Sequence, residues 1–407
     1  MYFKEFILAC FIVFAFACTS NVDPIVMADA EPILLKANQQ KRVAQDNAFA
    51  FELLKQTNKA NDKVNIMVSP LSVSIALGMT RNGAVSETLE GIEKALFLSG
   101  LTDDEINEYY QIMQQSLPKV DPSTQLNIAN SIWYREGFEV KSDFLNINKK
   151  YFDATVRQLD FSKPGAKDSI NNWCAKKTDG LIDNILDNIP GDAVMYLVNA
   201  VYFKGVWSKK FDKKNTANRN FTSVDKLNLQ VPTMYAKDTF ACANTTLADV
   251  VELNYGNKAF SMILMLPNAQ SDANELVAAL NTDIYSQILA QLQTEEVELY
   301  LPRLAFKTKL LLNDPLKTMG MEKAFEDRNE FSRITDHSIF VSRVLHDTFI
   351  ELNEEGTRAA AATVVEMREK AMLNKVFNFN RPFVFLIREK STGVIVFAGK
   401  VGNPANQ

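Results

Sequence analysis

The 407-residue chain holds only two histidines, His337 and His346, and four cysteines, none of them in a Cys-x-x-Cys pair. A zinc centre needs clustered imidazole or thiolate ligands, so no metal site of that kind is expected. The chain also lacks a Gly-x-Ser-x-Gly turn, and any Ser-His-Asp arrangement would have to recruit one of the two histidines. His346 lies in the strand-like run Val344-Leu-His-Asp-Thr-Phe349, where a buried, hydrogen-bonded imidazole is the ordinary reading. Hydrolytic catalysis is therefore not expected, and neither is a cofactor. Lys and Arg number 44 against 49 Asp and Glu, without the basic excess by which a phosphate-binding face shows itself, so nucleic acid is not an expected partner. The one long apolar run, Phe6 to Ala17, is too short for a comfortable membrane span.

That run has the right length for the apolar part of an export signal, and Lys4 precedes it. It closes on Ala15-Phe16-Ala17-Cys18, which resembles a bacterial lipobox, with Cys18 as the residue that would be lipidated and become the mature N-terminus. Ordinary secretion is the alternative. Residues 1–17 then form the signal, and residues 18–45, with little periodicity, form a tether between a bacterial membrane and the folded part, on the periplasmic side or at the cell surface. Cys10 and Cys18 belong to the signal region, which leaves Cys174 and Cys242. The first sits in an amphipathic helical stretch and the second in a strand-like one, so two separate buried thiols are expected rather than a disulfide.

With 47% hydrophobic residues the rest of the chain can bury a large core, and residues 46–404 read as one α+β domain without repeats or linkers. Phe49, Leu53 and Leu54 predict a first helix from Asp46 to Lys59. In Asn65-Ile-Met-Val-Ser-Pro-Leu-Ser-Val-Ser-Ile-Ala-Leu-Gly-Met79 a short strand ends at Ser69, a good helix cap, with Pro70 in the first helical turn. Gln125 to Tyr134 reads as a strand and Ile170 to Gly180 as a helix stopped by glycine. Val194 to Phe203 is nearly continuous in apolar residues, which predicts a strand buried on both faces. Val251–Tyr255, Ser261–Pro267 and Val297–Arg303 read as further strands.

The stretch from Glu354 to Lys375 behaves differently. It opens on Glu354, Glu355 and Gly356, continues through Thr357, Arg358, four alanines from Ala359 through Ala360 and Ala361 to Ala362, and Thr363, then turns β-branched and ends in basic residues. An Ala-rich surface helix is the plain alternative. As an extended chain, however, Thr357, Ala359, Ala361, Thr363, Val365 and Met367 share one small or apolar face, while Arg358, Glu366 and Arg368 fall on the other. That is a strand with one buried face, inside what also reads as a protease-sensitive loop.

This hinge resembles that of the serpins, as do the Ser69-Pro70 helix opening, Leu197-Val-Asn-Ala-Val-Tyr-Phe-Lys-Gly-Val-Trp207, and Phe379-Asn-Phe-Asn-Arg-Pro-Phe-Val-Phe-Leu-Ile387 near the C-terminus. The resemblance spans about residues 46–404 with its motifs in the family's order. It implies about nine helices around three sheets, a metastable five-stranded main sheet, and an exposed reactive loop over about residues 354–378. It further implies single-turnover inhibition, by a monomer, of endopeptidases with trypsin-like specificity, serine endopeptidases first and cysteine endopeptidases as a further target class. A non-inhibitory member acting as a protease substrate, binding protein or chaperone is the alternative. Counted from Gly356 by the nearly fixed length that the resemblance implies, the reactive bond joins Lys370 to Ala371, with Met367, Arg368, Met372 and Lys375 as other cut sites. Ser69, Ser72, Asn199 and His346 match the polar cluster that holds the main sheet shut. Trp207, Arg303 and Glu354 match the group at the loop's insertion point. Arg358 departs from the acidic residue common in the family, but parity turns it outward.

Overall fold

The computed structural model describes residues 30–326, 329–357 and 375–405. Helix α1 (Ala37–Lys59), strand β1 (Ile66–Val68), α2 (Pro70–Arg81), α3 (Ser86–Ala95) and α4 (Asp103–Ser116) lead into β2 (Gln125–Arg135), α5 (Ser142–Phe152), β3 (Thr155–Leu159), α6 (Gly165–Lys177) and β4 (Met195–Val206). Strands β5 (Ala217–Thr222), β6 (Asn228–Asn244), β7 (Ala248–Asn254) and β8 (Phe260–Pro267) follow, then α7 (Ala273–Ala279), α8 (Thr282–Gln291), β9 (Gln293–Pro302), β10 (Leu304–Leu311) and a short α9 (Asn313–Leu316). The chain continues through β11 (Leu345–Leu352), β12 (Gly356–Thr357), β13 (Lys375–Asn378), β14 (Phe383–Glu389) and β15 (Ile395–Val401). Among the described residues this is the expected mixture of nine helices and three sheets.

The Ser69 side chain caps α2 by accepting from the Ser72 amide, and Pro70 takes the first helical position, where a missing N–H is harmless. α1 departs from expectation. It begins at Ala37 rather than Asp46, so residues 37–45 belong to the folded body and not to a tether. Its early turns are buried through polar groups. Arg42 is fully buried and pairs with Asp46 at 2.6 Å, while the hydroxyls of Tyr109 and Tyr110 bond Asp46 and Arg42 at 2.6 and 2.8 Å. A hydrophobic pattern does not register a helix face of this kind.

A nine-stranded sheet runs in the order β1-β15-β14-β8-β7-β6-β9-β13, with β5 on β6. Every residue of β8 and β15 is buried, as continuous apolar runs require when both faces are covered, and α1, α2 and α7 pack against this sheet. A second, smaller core fills the space between α6 and strands β2 and β4, built on Trp133, Ile170, Cys174 and Val198. Cys174 and Cys242 are both free and buried, on α6 and β6. Burial pushes the Cys174 thiol up to about 12 and the Cys242 thiol upward as well.

The five long strands expected side by side are all present, in two groups. One sheet has the order β12-β4-β2-β3; the other is the pair β10-β11. Among the described residues no ladder joins β4 to β11. What lies between them is β12, which leaves β11 by a tight turn closed by the Asn353–Gly356 bridge and then runs antiparallel to the end of β4, Gly356 opposite Val206 and Thr357 opposite Gly205. The face of β4 turned to α6 is buried at Val198, Ala200 and Tyr202. Its other face is only half-buried at Leu197, Asn199 and Val201. The expectation of burial on both faces fails there because the second edge of β4 has a partner only at its last residues.

Candidate functional site at the mouth and floor of the split sheet

Two clusters flank the split. At the mouth, the turn from Asn353 to Gly356 is pinned by backbone and side-chain donors. The Trp207 amide donates to the Glu355 carbonyl at 2.8 Å and the Phe211 amide to the Glu354 carbonyl at 3.0 Å. The Trp207 indole N–H donates to the Asn353 carbonyl at 3.0 Å. Trp207 itself is buried and stacked on Tyr255, centroids 4.4 Å apart and planes 16° apart. Two glycines make room for this. A Cβ on Gly205 would sit 2.6 Å from the Tyr255 ring, and one on Gly356, at φ +140°, would sit 2.2 Å from the Gly205 carbonyl oxygen. Only glycine fits either position without displacing backbone or ring.

Thr357 is buried, and its hydroxyl and that of Tyr255 share a hydrogen bond of 2.8 Å. Its side chain thus faces the interior, the face that strand parity assigns to it. Glu354 accepts from Arg303 Nε at 2.7 Å and from the Thr216 hydroxyl. Burial alone would raise the Glu354 carboxyl, but these donors outweigh it and hold the group below its ordinary range. The pair is lopsided: the carboxylate side chain is 2% exposed and the guanidinium 41%. It is therefore not an ordinary exposed surface pair. Removing Arg303 strands a charge inside, whereas removing Glu354 leaves Arg303 in water. Glu355 is held by Lys210 and Lys213 at 2.9 and 3.1 Å, and these lysines outweigh its burial and keep it ionised.

At the floor, His346 Nε2 accepts from the Ser69 amide at 2.9 Å, which leaves that nitrogen without the free lone pair a general base requires. The Ser69 hydroxyl donates to the Val396 carbonyl at 2.8 Å, and the Ser72 hydroxyl donates to Asn199 Oδ1. Asn199 in turn donates to Asn130 Oδ1 at 2.6 Å, and Asn130 donates to Gln114 and to the Phe152 carbonyl. Ser69, Ser72, Asn199 and His346 are thus brought together at the start of α2, one strand on each side of the split contributing a member. Asn130, Gln114, Tyr255, Thr216, Lys210 and Lys213 escaped sequence reading. The signal for Asn130 was present: a lone amide in the apolar run Ile128-Ala-Asn-Ser-Ile-Trp133.

The remaining site residues divide. Arg358, Ala359, Ala360, Ala361, Ala362, Thr363, Met367, Arg368, Lys370, Ala371, Met372 and the lipid-site residue Cys18 lie outside the described residues. Lys375 does not stand in a loop. It opens β13, pairs parallel with Val297 of β9 and reaches Glu295 at 3.2 Å, so a protease would have to peel off a strand to cut there. The expected loop bounds of about 354–378 are thus too wide at both ends: Lys375 to Asn378 form a strand, and Gly356 and Thr357 are seated in another and buried.

The family description "Serpin (serine protease inhibitor)" matches residues 44–404. The chain is 32% identical over 373 residues to a serpin-like protein of Methanosarcina acetivorans, covering 89% of this chain and 87% of that protein. Among solved structures it is similar to the native-state thermophilic serpin tengpin, with TM-score 0.83, 32% identity, and 92% and 97% of the two chains covered. It is also similar to human thyroxine-binding globulin, with TM-score 0.83, 28% identity, and 90% and 100% of the two chains covered.

Burial drops the His346 imidazole to about 4. A histidine with a depressed folded-state pKa adds stability that is complete above its unfolded value near 6.5 and is lost as pH falls from there toward 4, on the order of 3 kcal/mol here. Urea midpoints measured across that window will fall for the wild type and fall less for His346→Gln, which keeps an acceptor without a titrating ring. Parallel profiles for the two proteins would contradict this.

Proposed function

The chain belongs to the serpin family, whose members are mostly protease inhibitors, and on that footing we propose that it is a single-turnover inhibitor of endopeptidases that cut after a basic residue. The protease's nucleophile attacks the Lys370 carbonyl carbon, the amide bond to Ala371 breaks, and Ala371 leaves as an amine with the proton delivered by the protease. Lys370 stays attached as the acyl-enzyme. The freed segment from Thr357 to Lys370 then enters between β4 and β11 and carries the protease with it. Displacement of the acyl-enzyme by a small distance is enough to halt its hydrolysis.

The observation that supports this most directly is the seat of Gly356 and Thr357 on β4, with the remaining edges of β4 and β11 unpaired among the described residues. The first step of a new strand is already taken. The residues on either side of the stretch are fixed, Gly356 and Thr357 on β4 and Lys375 to Asn378 on β9; a cut between them frees the first strand from the second, and only then can the segment after Thr357 lie along the whole of β4. The register of β12, continued, sets Ala361 opposite Val201 and Thr363 opposite Asn199. Continued down β11 from the Asn353–Gly356 bridge, it sets Thr363 opposite His346 as well. The one polar residue in the middle of the inward face thus meets the two polar groups of the floor. Roughly a dozen new backbone hydrogen bonds at about 0.5–1.5 kcal/mol each supply a drive on the order of 10 kcal/mol.

No helix of the described residues is long and apolar enough to cross a membrane. Export by residues 1–17 and attachment through a lipid on Cys18 complete the proposal.

Incubation with trypsin will give an SDS-stable complex, with the cut after Lys370 by mass spectrometry and a large rise in melting temperature of the nicked protein. Thr357→Arg and Ala361→Arg, which push a cation into the buried face, will be cut without forming the complex. Simple turnover of the wild type by trypsin would defeat inhibition and favour a non-inhibitory member acting as a protease substrate, binding protein or chaperone. The register has its own check. After cleavage, cysteines at Val201→Cys and Ala361→Cys will cross-link on oxidation, and the pair Val201→Cys with Ala362→Cys will not, because directly opposed residues alone share a face at disulfide distance. Expression in a bacterial host with radiolabelled palmitate will label the wild type and not Cys18→Ser; equal labelling of both would remove Cys18 from the lipid site.

A further inference from the structure

Helix α6 lies on β2 and β4, but the segment that follows it, residues 178–194, is fastened on the far side of the split. Asp183 accepts from Lys307 Nζ at 3.0 Å, and Asp187 accepts from Lys309 Nζ at 2.9 and 3.0 Å, with the Asn184 carbonyl also within 3.2 Å of Lys309. Lys307 and Lys309 stand on β10, whose partner β11 forms the other wall of the split. The segment is therefore a strap, packed on the β4 side through α6 and ion-paired on the β10 side. A strand added between β4 and β11 widens the sheet by about 4.7–4.9 Å, more than these contacts can stretch.

Beneath the strap sits a carboxylate with no donor. Asp347 on β11 is 6% exposed, and among the described residues neither carboxylate oxygen has a hydrogen-bond partner. Its direct cross-strand neighbour in the β10–β11 ladder is Lys309, the natural partner, whose ammonium is instead turned to Asp187. One lysine is placed between two carboxylates and serves only the one on the strap.

We propose that Lys309 is a two-position latch: it fastens the strap through Asp187 while the sheet is split, and transfers to Asp347 across the β10–β11 ladder when a further strand enters. Opening then exchanges one ion pair for another, and the closed form carries an unpaired carboxyl as its release. This rests on the reading that the cut loop is the strand that enters.

The surroundings of Asp347 set the pH at which the latch works. Facing it are Lys307 and Lys309 from β10, Asp183 and Asp187 from the strap, and the buried Cys174 thiol from α6. Burial pushes the Asp347 carboxyl up to about 6; the two lysines oppose this without overcoming it, and the two strap aspartates add to it. An acid with a raised pKa in the closed form stabilises that form below the ordinary carboxylate value near 4, and the stabilisation is lost as pH rises from there through 6. His346, one residue away on the opposite face, titrates with the opposite sign, so the variant must be compared with the wild type rather than a single profile read alone.

Melting temperatures of wild type and Asp347→Asn, uncut and after nicking of the loop by a metalloprotease, which forms no acyl-enzyme, test the transfer. In the uncut protein Asp347→Asn will melt a few degrees higher at pH 7.5, and the gap will close by pH 4.5. In the nicked protein the sign will reverse, because the variant lacks the partner that Lys309 has moved to, and adding Lys309→Met to both proteins will erase that reversed gap. A purely packing role for Asp347 would move both forms in one direction. A gap of the same sign in both forms, or one in the uncut protein that ignores pH, overturns the latch while leaving loop insertion standing. A nick that leaves the wild-type melting temperature unmoved overturns loop insertion and the latch with it.

Discussion

Backbone amides and carbonyls that are shielded from water must find partners, and this requirement governs the whole molecule. Among the described residues β4 and β11 each use one edge fully and leave the other almost bare. The fold tolerates this by bridging the split at its two ends: side-chain hydrogen bonds across the start of α2 join one wall to the other at the floor, and the pinned turn from Asn353 to Gly356 closes the mouth. The floor closes largely through side chains where a sheet would ordinarily use a ladder, and the mouth through a few backbone bonds reinforced by the Trp207 indole and the Glu354 and Glu355 carboxylates. Side-chain bonds can be exchanged one at a time, whereas a ladder parts only as a unit.

The mouth shows how small residues make close packing of a turn against a strand end possible. Gly205 yields its side-chain space to Tyr255, Tyr255 stacks on Trp207, and Trp207 holds the turn that delivers Thr357 to the interior. A bulkier residue at Gly205 would displace the ring that receives Thr357. The charges are arranged on the same principle. Glu354 and Glu355 are buried beside cations that reach the surface, so the turn is fixed firmly while the cations keep their hydration.

Much of this was legible in the sequence because it obeys simple periodicities. Ser69 and Pro70 announce a capped helix, and the two-residue alternation after Gly356 places Thr357 on the inward face, where its hydroxyl meets Tyr255. What escaped has polar groups where hydropathy expects apolar ones. α1 starts nine residues early because Arg42, Asp46 and two tyrosines satisfy one another in the interior, and that pattern has no apolar stripe. Asn130 cannot be recognised as the partner of Asn199 until β2 and β4 are placed side by side. The half-buried face of β4 was missed for the converse reason: its residues are apolar enough for a covered strand, but a missing neighbour, not composition, decides their exposure.

The strands downstream of the loop carry a consequence of their own. β13 lies on β9, and β15 and β14 are the second and third strands of the nine-stranded sheet, between β1 and β8, with Val384, Leu386, Ile395 and Ala398 buried there. A severed chain cannot shed this tail, since doing so would dismantle the interior. Under the proposed cut after Lys370, the two polypeptides would therefore stay together as one particle, the C-terminal piece held by the strands it contributes to the interior.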